Sequence, residues 1–170
     1  MKLHAGNINF RGTVGHRDEA DNFLDKAGAA VLVRRGVNRS VVVACPDGCG
    51  EVVTINLVRR SGPAWRLYLD SESLSLYPSV WRHSGCKSHF IVWRSQVYWC
   101  DLDTELPPTS LQFEDLVLSR ITIQPQSYID IAEALETVPW AVLSACYRLR
   151  ARKIVQCGSD ENRSSFWLVK

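Results

Sequence analysis

Four of the six cysteines stand where thiols could bind a metal ion. Cys45 and Cys49 enclose the turn-forming segment 46–48, Cys86 follows a glycine in a second turn, and Cys100 comes fourteen residues later. Glycine turns let a backbone fold around a metal, and four thiolates complete the closed tetrahedral shell of a structural zinc site. The sequence therefore predicts a zinc knuckle built by Cys45, Cys49, Cys86 and Cys100.

A short hairpin brings a second candidate to this site. Residues 90–93 and 96–99 alternate as strands around a two-residue turn, and this register places His89 opposite Cys100. Zinc accepts imidazole as readily as thiolate, so the fourth ligand is Cys100 or His89. We favour Cys100.

The remaining cysteines and histidines are expected to play other parts. Cys146 and Cys157 fall on a helix and a strand at positions typical of a core. His4, His16 and His83 are expected at the surface, with His83 a minor contender as a ligand because it is close to Cys86 in sequence. A catalytic zinc needs three protein ligands and an open position, and the four thiols argue against that type of site.

Two serines could act as nucleophiles. Ser79 follows a proline, and Ser88 directly precedes His89. A serine needs a neighbouring base, which is in turn oriented by a group such as the carboxylate of Asp101. Adjacent strand residues point to opposite faces, so Ser79 with His89 is the better pair and Ser88 the alternative. In the competing interpretation Ser79 only closes a turn and His89 serves the zinc.

The elements that must position these side chains are mainly strands. Runs rich in Val, Ile and aromatic residues suit a pleated surface. Before them the sequence predicts a short strand at residues 8–10 and a short helix within residues 16–26. The predicted strands are residues 30–34, 41–44, 52–57, 65–69, 74–77, 90–93 and 96–99.

Beyond two consecutive prolines, Pro107 and Pro108, the pattern changes to helical spacing. Three helices are expected around residues 113–121, 129–135 and 139–153, followed by a hairpin of residues 154–157 and 165–169 around a polar turn at 158–163. This is the order of a winged helix-turn-helix. We therefore predict an α+β protein: a zinc-stapled antiparallel β domain at residues 1–106, followed by a small winged helix-turn-helix domain at residues 107–170.

The third helix bears on nucleic-acid binding. Its end carries Arg148, Arg150, Arg152 and Lys153, but the residues that would meet base edges, 140–145, include no Arg, Asn or Gln. We favour a protein-interaction role and keep nucleic-acid binding as the rival. The net charge of +2 on 170 residues demands no nucleic acid either.

The bulk sequence indicates a cytoplasmic protein. No segment has the roughly 20 apolar residues of a membrane span, and the first residues lack the apolar core of a signal peptide. In a reducing compartment paired cysteines are better interpreted as metal ligands than as disulfides.

Five motifs between residues 45 and 101, CPDGCG, GPAWRLYL, LSLYPSVWR, GCKSHFIVW and VYWCD, together resemble a bacterial zinc-containing, peptidase-like family encoded with ubiquitin-like proteins and their E1- and E2-like enzymes. The family pattern Cys-Pro-Cys-Gly-Cys-Gly has a cysteine where this chain has Asp47, which makes Cys100 more necessary.

The resemblance implies a deubiquitinase-like peptidase or esterase that acts on a ubiquitin-like protein or its conjugates, with that protein and its E1- and E2-like enzymes as partners. Ser79, His89 and Ser88 are the catalytic candidates, and the zinc is structural. The alternatives are a non-catalytic zinc-binding adaptor of the same pathway and a winged-helix DNA-binding regulator.

Overall fold

A computed structural model describes residues 4–71, 73–102, 104–159 and 164–169. The chain divides into two compact units, residues 1–104 and 105–170. The strands of the first unit are β1 (Asn9–Val14), β2 (Ala29–Arg35), β3 (Val37–Ala44), β4 (Val52–Asn56), β5 (Arg66–Leu69), β6 (Leu74–Trp81), β7 (His89–Trp93) and β8 (Gln96–Trp99). Short 3₁₀ helices lie at Asp18–Phe23, Arg59–Ser61 and Cys100–Leu102.

The first unit holds two four-stranded sheets, ordered β1-β2-β3-β4 and β5-β6-β7-β8. Their neighbouring strands are antiparallel with one exception, since β1 pairs with β2 in parallel. The prediction of an antiparallel β domain is confirmed for the other strand pairs and was wrong at this one. The connection through the helix at Asp18–Phe23 returns the chain to the same end of the sheet, and such a crossover produces parallel neighbours.

Backbone hydrogen bonds join the two sheets at both edges. The Trp65 N–H donates to the Asn56 carbonyl at 2.8 Å, and the Ile8 N–H donates to the Ser95 carbonyl at 2.6 Å. Apolar side chains from both sheets fill the space between them. The fully buried members of this core include Ala30, Val41, Leu76, Phe90 and Val92. A second, smaller cluster on the outer face of the first sheet lies under the Asp18–Phe23 helix.

The predicted strands are confirmed, although β1, β3 and β6 each extend four residues beyond the predicted ranges, and the short helix near residue 18 is confirmed as well. The hairpin register is confirmed as well, because Phe90 pairs with Trp99 and Trp93 with Gln96. Arg94 and Ser95, the two turn residues, have φ of 50° and 59°, which is the backbone of a type I′ hairpin turn.

The second unit contains helices and one small sheet. Its elements are α1 (Leu111–Leu118), β9 (Gln126–Ser127), α2 (Tyr128–Ala134), α3 (Pro139–Ala151), β10 (Val155–Cys157) and β11 (Ser165–Leu168). The three helices and the hairpin strands were predicted, whereas β9, which pairs with β11, was not. Residues 160–163 of the predicted polar turn lie outside the described residues.

A buried carboxylate organises the helices of this unit. Glu114 of α1 is 1% exposed and pairs with Arg148 Nε at 2.7 Å and with Arg152. Two guanidinium groups offset the cost of burying one carboxylate. Within the described part of the chain, no helix combines the length and apolar character that a bilayer span requires.

Candidate active site and metal centre

The hairpin of β6 and β7 carries a serine and a histidine in hydrogen-bond contact. The pairing of the two strands shifts between Leu76 and Val80, so Ser79 lies in an irregular stretch of β6. His89 opens β7. Its Nε2 lies 3.0 Å from Ser79 Oγ, the separation needed for a base to take the proton of a serine hydroxyl. Both side chains are half-buried.

Asp101 lies on the other side of the imidazole. It follows β8 in the 3₁₀ helix Cys100–Leu102, and its Oδ1 is 3.9 Å from His89 Nδ1. That separation exceeds a hydrogen bond, but it places a negative charge beside the nitrogen that must keep its proton while Nε2 accepts one. The Asp101 side chain is 67% exposed, so water screens part of this interaction.

Two tryptophans hold the serine and the histidine. The Trp65 Nε1–H donates to the Ser79 carbonyl at 3.2 Å and fixes the backbone of the irregular stretch. Trp81 pairs with His89 across the strands, and its indole stacks on the imidazole with centroids 5.5 Å apart. Trp81 remains 58% exposed, so one face of the histidine is covered by an aromatic ring that also meets solvent.

Three thiols converge close to this pair. Cys45 directly follows β3, and Cys49 lies further along the same turn, before β4. Cys86 belongs to the connection between β6 and β7. Their sulfur atoms all lie within 4.8 Å of one another, and those of Cys45 and Cys86 are 3.7 Å apart. Gly48 and Gly85 have φ of 75° and 67°, a conformation that glycine adopts without strain. The predicted association of the two turns is therefore present.

Arg82 donates hydrogen bonds to the thiol cluster. Its Nη1 donates to Cys86 Sγ at 3.1 Å and to Cys49 Sγ at 3.4 Å, while Nη2 pairs with Glu51. Its backbone N–H donates to the Ser88 carbonyl at 3.0 Å. The residue that follows Trp81 at the end of β6 is thus tied to both cysteine turns.

The thiols differ in acidity. Burial raises the pKa of Cys45. Burial also acts to raise the pKa of Cys86, but hydrogen bonds from Ser88 and from the neighbouring thiols outweigh it and bring the pKa to about 7. Burial, with the charge of Asp101, raises the pKa of Cys100. Cys86 is therefore the thiol that most readily supplies a thiolate to a metal.

The structure separates the predicted residues into two groups. Ser79 and His89 form the hydrogen-bonded pair. Ser88 is buried with its Oγ 3.3 Å from Cys86 Sγ and 3.6 Å from Cys45 Sγ, so its hydroxyl faces the thiols. Cys100 does not belong to the group of three sulfurs that the described residues form, and its part as the fourth ligand stays a prediction.

The other candidates have ordinary surroundings. His83 lies against the Trp81 ring with centroids 4.5 Å apart, and His4 Nε2 is 3.4 Å from Asp47 Oδ1. Cys146 is fully buried in α3, where burial raises its pKa to about 12.

Sequence reasoning missed Arg82, Trp65 and Trp81 as parts of the site. Arg82 and Trp81 stand side by side between the candidate serine and the Cys86 turn, and a cation beside a thiol cluster was a signal that could have been used. The contact of Trp65 with Ser79 spans fourteen residues and depends on strand pairing that the sequence alone did not give.

The site defines a β-rich protein with a serine and histidine pair beside a group of thiols. The family model of the bacterial ubiquitination-like system serine protease (BubE) matches residues 16–100, half of the chain. The chain belongs to this family, which confirms the resemblance stated above. Ser79, His89 and the three clustered cysteines lie within the match, and Asp101 follows it directly. The chain matches no curated protein and no solved structure.

Proposed function

We propose that this protein is a serine hydrolase that cleaves a peptide or ester bond at a bacterial ubiquitin-like protein or its conjugates. Ser79 is the nucleophile, His89 the general base and Asp101 the group that orients the histidine. The observation that carries the proposal is the 3.0 Å contact between Ser79 Oγ and His89 Nε2, and the family of the chain supports it.

The chemistry follows from the tautomer of His89. Asp101 beside Nδ1 favours the form in which Nδ1 holds the proton and Nε2 is free to accept one. Ser79 Oγ attacks the scissile carbonyl as its proton moves to Nε2, and the imidazolium then protonates the leaving amine or alcohol. Water activated by the same nitrogen releases the acyl group from Ser79. The substrate contributes the carbonyl carbon that Ser79 attacks. The substrate class is defined by the ubiquitin-like protein to which that carbonyl belongs or is joined.

A structural zinc ion is the second part of the proposal. With Zn–S bonds of about 2.3 Å, two thiolates of a tetrahedral site lie about 3.8 Å apart, and the Cys45 and Cys86 sulfurs are separated by 3.7 Å. Cys45, Cys49 and Cys86 would hold the ion, with Cys100 as the predicted fourth ligand. A closed thiolate shell stabilises the fold and leaves bond cleavage to Ser79 and His89. Because thiols stay reduced in the cytoplasm, a site of thiolate ligands supports a cytoplasmic location for the protein.

The second unit is proposed as a winged-helix domain, residues 107–170 of the predicted division, that recruits a protein partner such as the E1- or E2-like enzyme. Its order of helices and strands, with β9 pairing to the hairpin, supports this fold. Trp140, Ala141 and Val142 of α3 are buried and so are not available to base edges. Arg148 and Arg152 are engaged with Glu114, which disfavours phosphate contacts and the regulator hypothesis.

The test is incubation of the purified protein with the ubiquitin-like protein of its system, carrying a C-terminal extension, together with labelling by a fluorophosphonate. We expect cleavage and labelling in the wild type, neither in Ser79→Ala, and both in Ser159→Ala, at an exposed serine of the second unit. Cleavage that persists in Ser79→Ala would refute the nucleophile. A wild type that neither cleaves nor reacts would favour the zinc-binding adaptor.

A further inference from the structure

Six arginines gather at one end of the first unit, and we refer to them as the arginine face. Three lie on the β2–β3 hairpin, two in the short helix after β4, and one at the start of β5. Residues 27–46 and 52–69 contain no Asp or Glu, so the sequence supplies no local counter-charge. The members are Arg34, Arg35, Arg39, Arg59, Arg60 and Arg66.

Backbone pairing brings these segments together. The Leu57 N–H donates to the Arg39 carbonyl at 2.9 Å, which places the Arg59–Ser61 helix beside the β3 end of the hairpin. The Trp65 N–H donates to the Asn56 carbonyl at 2.8 Å and brings the start of β5 to the same edge. The arginine face is thus one surface assembled from three parts of the chain.

Among the residues that the structure describes, five of the six guanidinium groups have no intramolecular partner. Arg34, Arg35, Arg39, Arg59 and Arg60 are exposed, and within the described ranges none of their side chains makes an ion pair or a hydrogen bond. By contrast, the arginines at 11, 17 and 82 of the same unit each face a carboxylate. Clustered like charges repel one another, so their concentration on one face indicates an anionic partner.

Two concavities shape this face. One of about 280 Å³ has a mixed lining, in which Leu57, Trp65 and Leu67 lie beside Arg59 and Arg66. The other, of about 340 Å³, is lined by residues that include Val33, Arg35 and Arg39. No carboxylate of the described part of the chain lines either one. Apolar side chains beside arginines are typical of protein–protein interfaces, where Arg and Trp are enriched.

Trp65 connects this face to the proposed nucleophile. Its ring lines the 280 Å³ concavity, and its Nε1–H donates to the carbonyl of Ser79 at 3.2 Å. A polypeptide whose scissile bond reaches Ser79 would therefore have its flanking surface close to the arginines. The closeness of the arginine face to Ser79, together with the apolar side chains in its concavities, favours an acidic polypeptide over a nucleic acid as the partner.

We propose that the arginine face is an exosite that binds an acidic surface of the polypeptide carrying the scissile bond. Guanidinium groups pair with carboxylates in bidentate fashion and so give orientation as well as attraction. The inference rests on the proposed function, because it assigns to that reaction the surface by which its substrate is held.

The kinetic test compares a charge-reversal variant with a matched control. Arg39→Glu/Arg59→Glu changes the exosite, and Arg120→Glu/Arg150→Glu makes the same change in net charge at exposed arginines of the second unit. We expect the KM for the extended ubiquitin-like substrate to rise about tenfold in the first variant with kcat unchanged, and to stay unchanged in the second. Hydrolysis of p-nitrophenyl acetate, a small neutral ester, should be equal in all three proteins. An unaltered KM in the first variant would overturn the proposal.

A binding test does not depend on catalysis. The Ser79→Ala protein is titrated with a fluorescein-labelled glutamate 20-mer and, separately, with a 20-base-pair DNA duplex. We expect salt-sensitive binding of the acidic peptide that is lost on Arg39→Glu/Arg59→Glu. Tighter binding of the duplex would overturn the proposal in favour of nucleic acid, and binding of neither probe would overturn it altogether. Peptide binding by a protein that hydrolyses nothing would refute the proposed function while the surface still binds acidic chains.

Discussion

Ser88 and His89 are neighbours in the chain, yet their side chains serve two different centres. The Ser88 hydroxyl is buried against the sulfurs of Cys45 and Cys86, whereas the His89 imidazole faces Ser79 and meets solvent. Successive residues at the start of a strand point in opposite directions, so one hairpin can serve both centres. The thiol centre is compact and closed by Arg82, and the serine centre is open.

This difference fits the proposed division between a structural thiol centre and a catalytic serine centre. A nucleophile must be reached by a substrate, and both Ser79 and His89 are half-buried. A structural metal centre must exclude competing ligands, and here Cys45 is 2% exposed while the half-buried Cys49 and Cys86 are covered in part by Arg82. The thiol cluster joins the β3–β4 turn to the β6–β7 connection, and Arg82 reaches it from the end of the strand that carries Ser79. The closed centre thus anchors the strands on which the open centre depends.

The largest expected effect is a loss of catalytic activity, which should follow from changes in the serine centre and not from changes in the thiol centre. Ser79→Ala should lower kcat/KM for the ubiquitin-like substrate by about 10⁴-fold, because a nucleophile and its base act as one unit. His89→Ala should cost about as much, and the double variant hardly more. Steady-state cleavage assays measure both, and metal content and circular dichroism should match the wild type.

Ser88→Ala is the control for this prediction. Its hydroxyl faces the sulfurs, so we expect activity within about tenfold of the wild type, the cost of roughly one lost hydrogen bond to a charged group. Inactivity of Ser88→Ala combined with full activity of Ser79→Ala would show that the nucleophile was wrongly chosen.

The second effect separates the centres by stability. We expect about one zinc ion per chain, and Cys86→Ser should lose it and lower the free energy of unfolding by about 3 kcal/mol or more. The loss should stay below the roughly 10–16 kcal/mol of isolated zinc-finger peptides, because the first unit has its own apolar core. Elemental analysis and urea unfolding measure both quantities. Cys157→Ser, at a half-buried thiol of the second unit, should retain the metal.

Zinc binding at the thiol centre should depend on pH, because protons compete with the metal ion for the sulfur of Cys86. The pKa of Cys86 is lowered from 9.0 to about 7, so its thiolate is favoured above pH 7 and is lost as the pH falls through that value. Zinc content after dialysis should therefore be full at pH 8 and reduced at pH 5.5. Equal zinc content at both values would contradict a thiolate site.

The third effect is smaller and lies in the open centre. Asp101→Asn should lower kcat about tenfold, far less than the roughly 10⁴-fold loss seen when a buried carboxylate of this kind is neutralised. The reason is geometric, because Asp101 is 67% exposed and 3.9 Å from Nδ1. A loss as large as that of Ser79→Ala would mean that Asp101 closes on His89 when substrate binds.

Much of both centres could be predicted because local patterns determined them. The two-residue turn at 94–95 fixed the hairpin register, and the glycine turns placed Cys45, Cys49 and Cys86 together. Alternation along a strand was enough to separate Ser88 from His89. These inferences needed only period-two geometry and turn chemistry.

The missed features depend on distant parts of the chain. The parallel pairing of β1 with β2 follows from the crossover between them, and no residue pattern in the sequence indicated that the two strands would run in the same direction. The two-residue strand β9 is too short to carry an alternation signal. The contacts of Arg82 were also missed, because a cation at the end of a strand is usually solvated and its partner Cys49 comes from a distant turn.

The last expected effect, comparable in size, concerns the predicted fourth ligand, Cys100, which directly precedes Asp101 in the chain. Cys100 lies between Trp99 and Asp101, and the described sulfurs that cluster do not include it. Cys100→Ser should therefore weaken zinc binding less than Cys86→Ser, by about tenfold, since a ligand that must move to the metal contributes less than one already in place. Competition with a chromophoric chelator measures this affinity, with His89→Ala as the matched variant. Unchanged affinity in Cys100→Ser together with a loss in His89→Ala would make the imidazole the fourth ligand. The serine would then lack a free base, and the division between a closed and an open centre would fail.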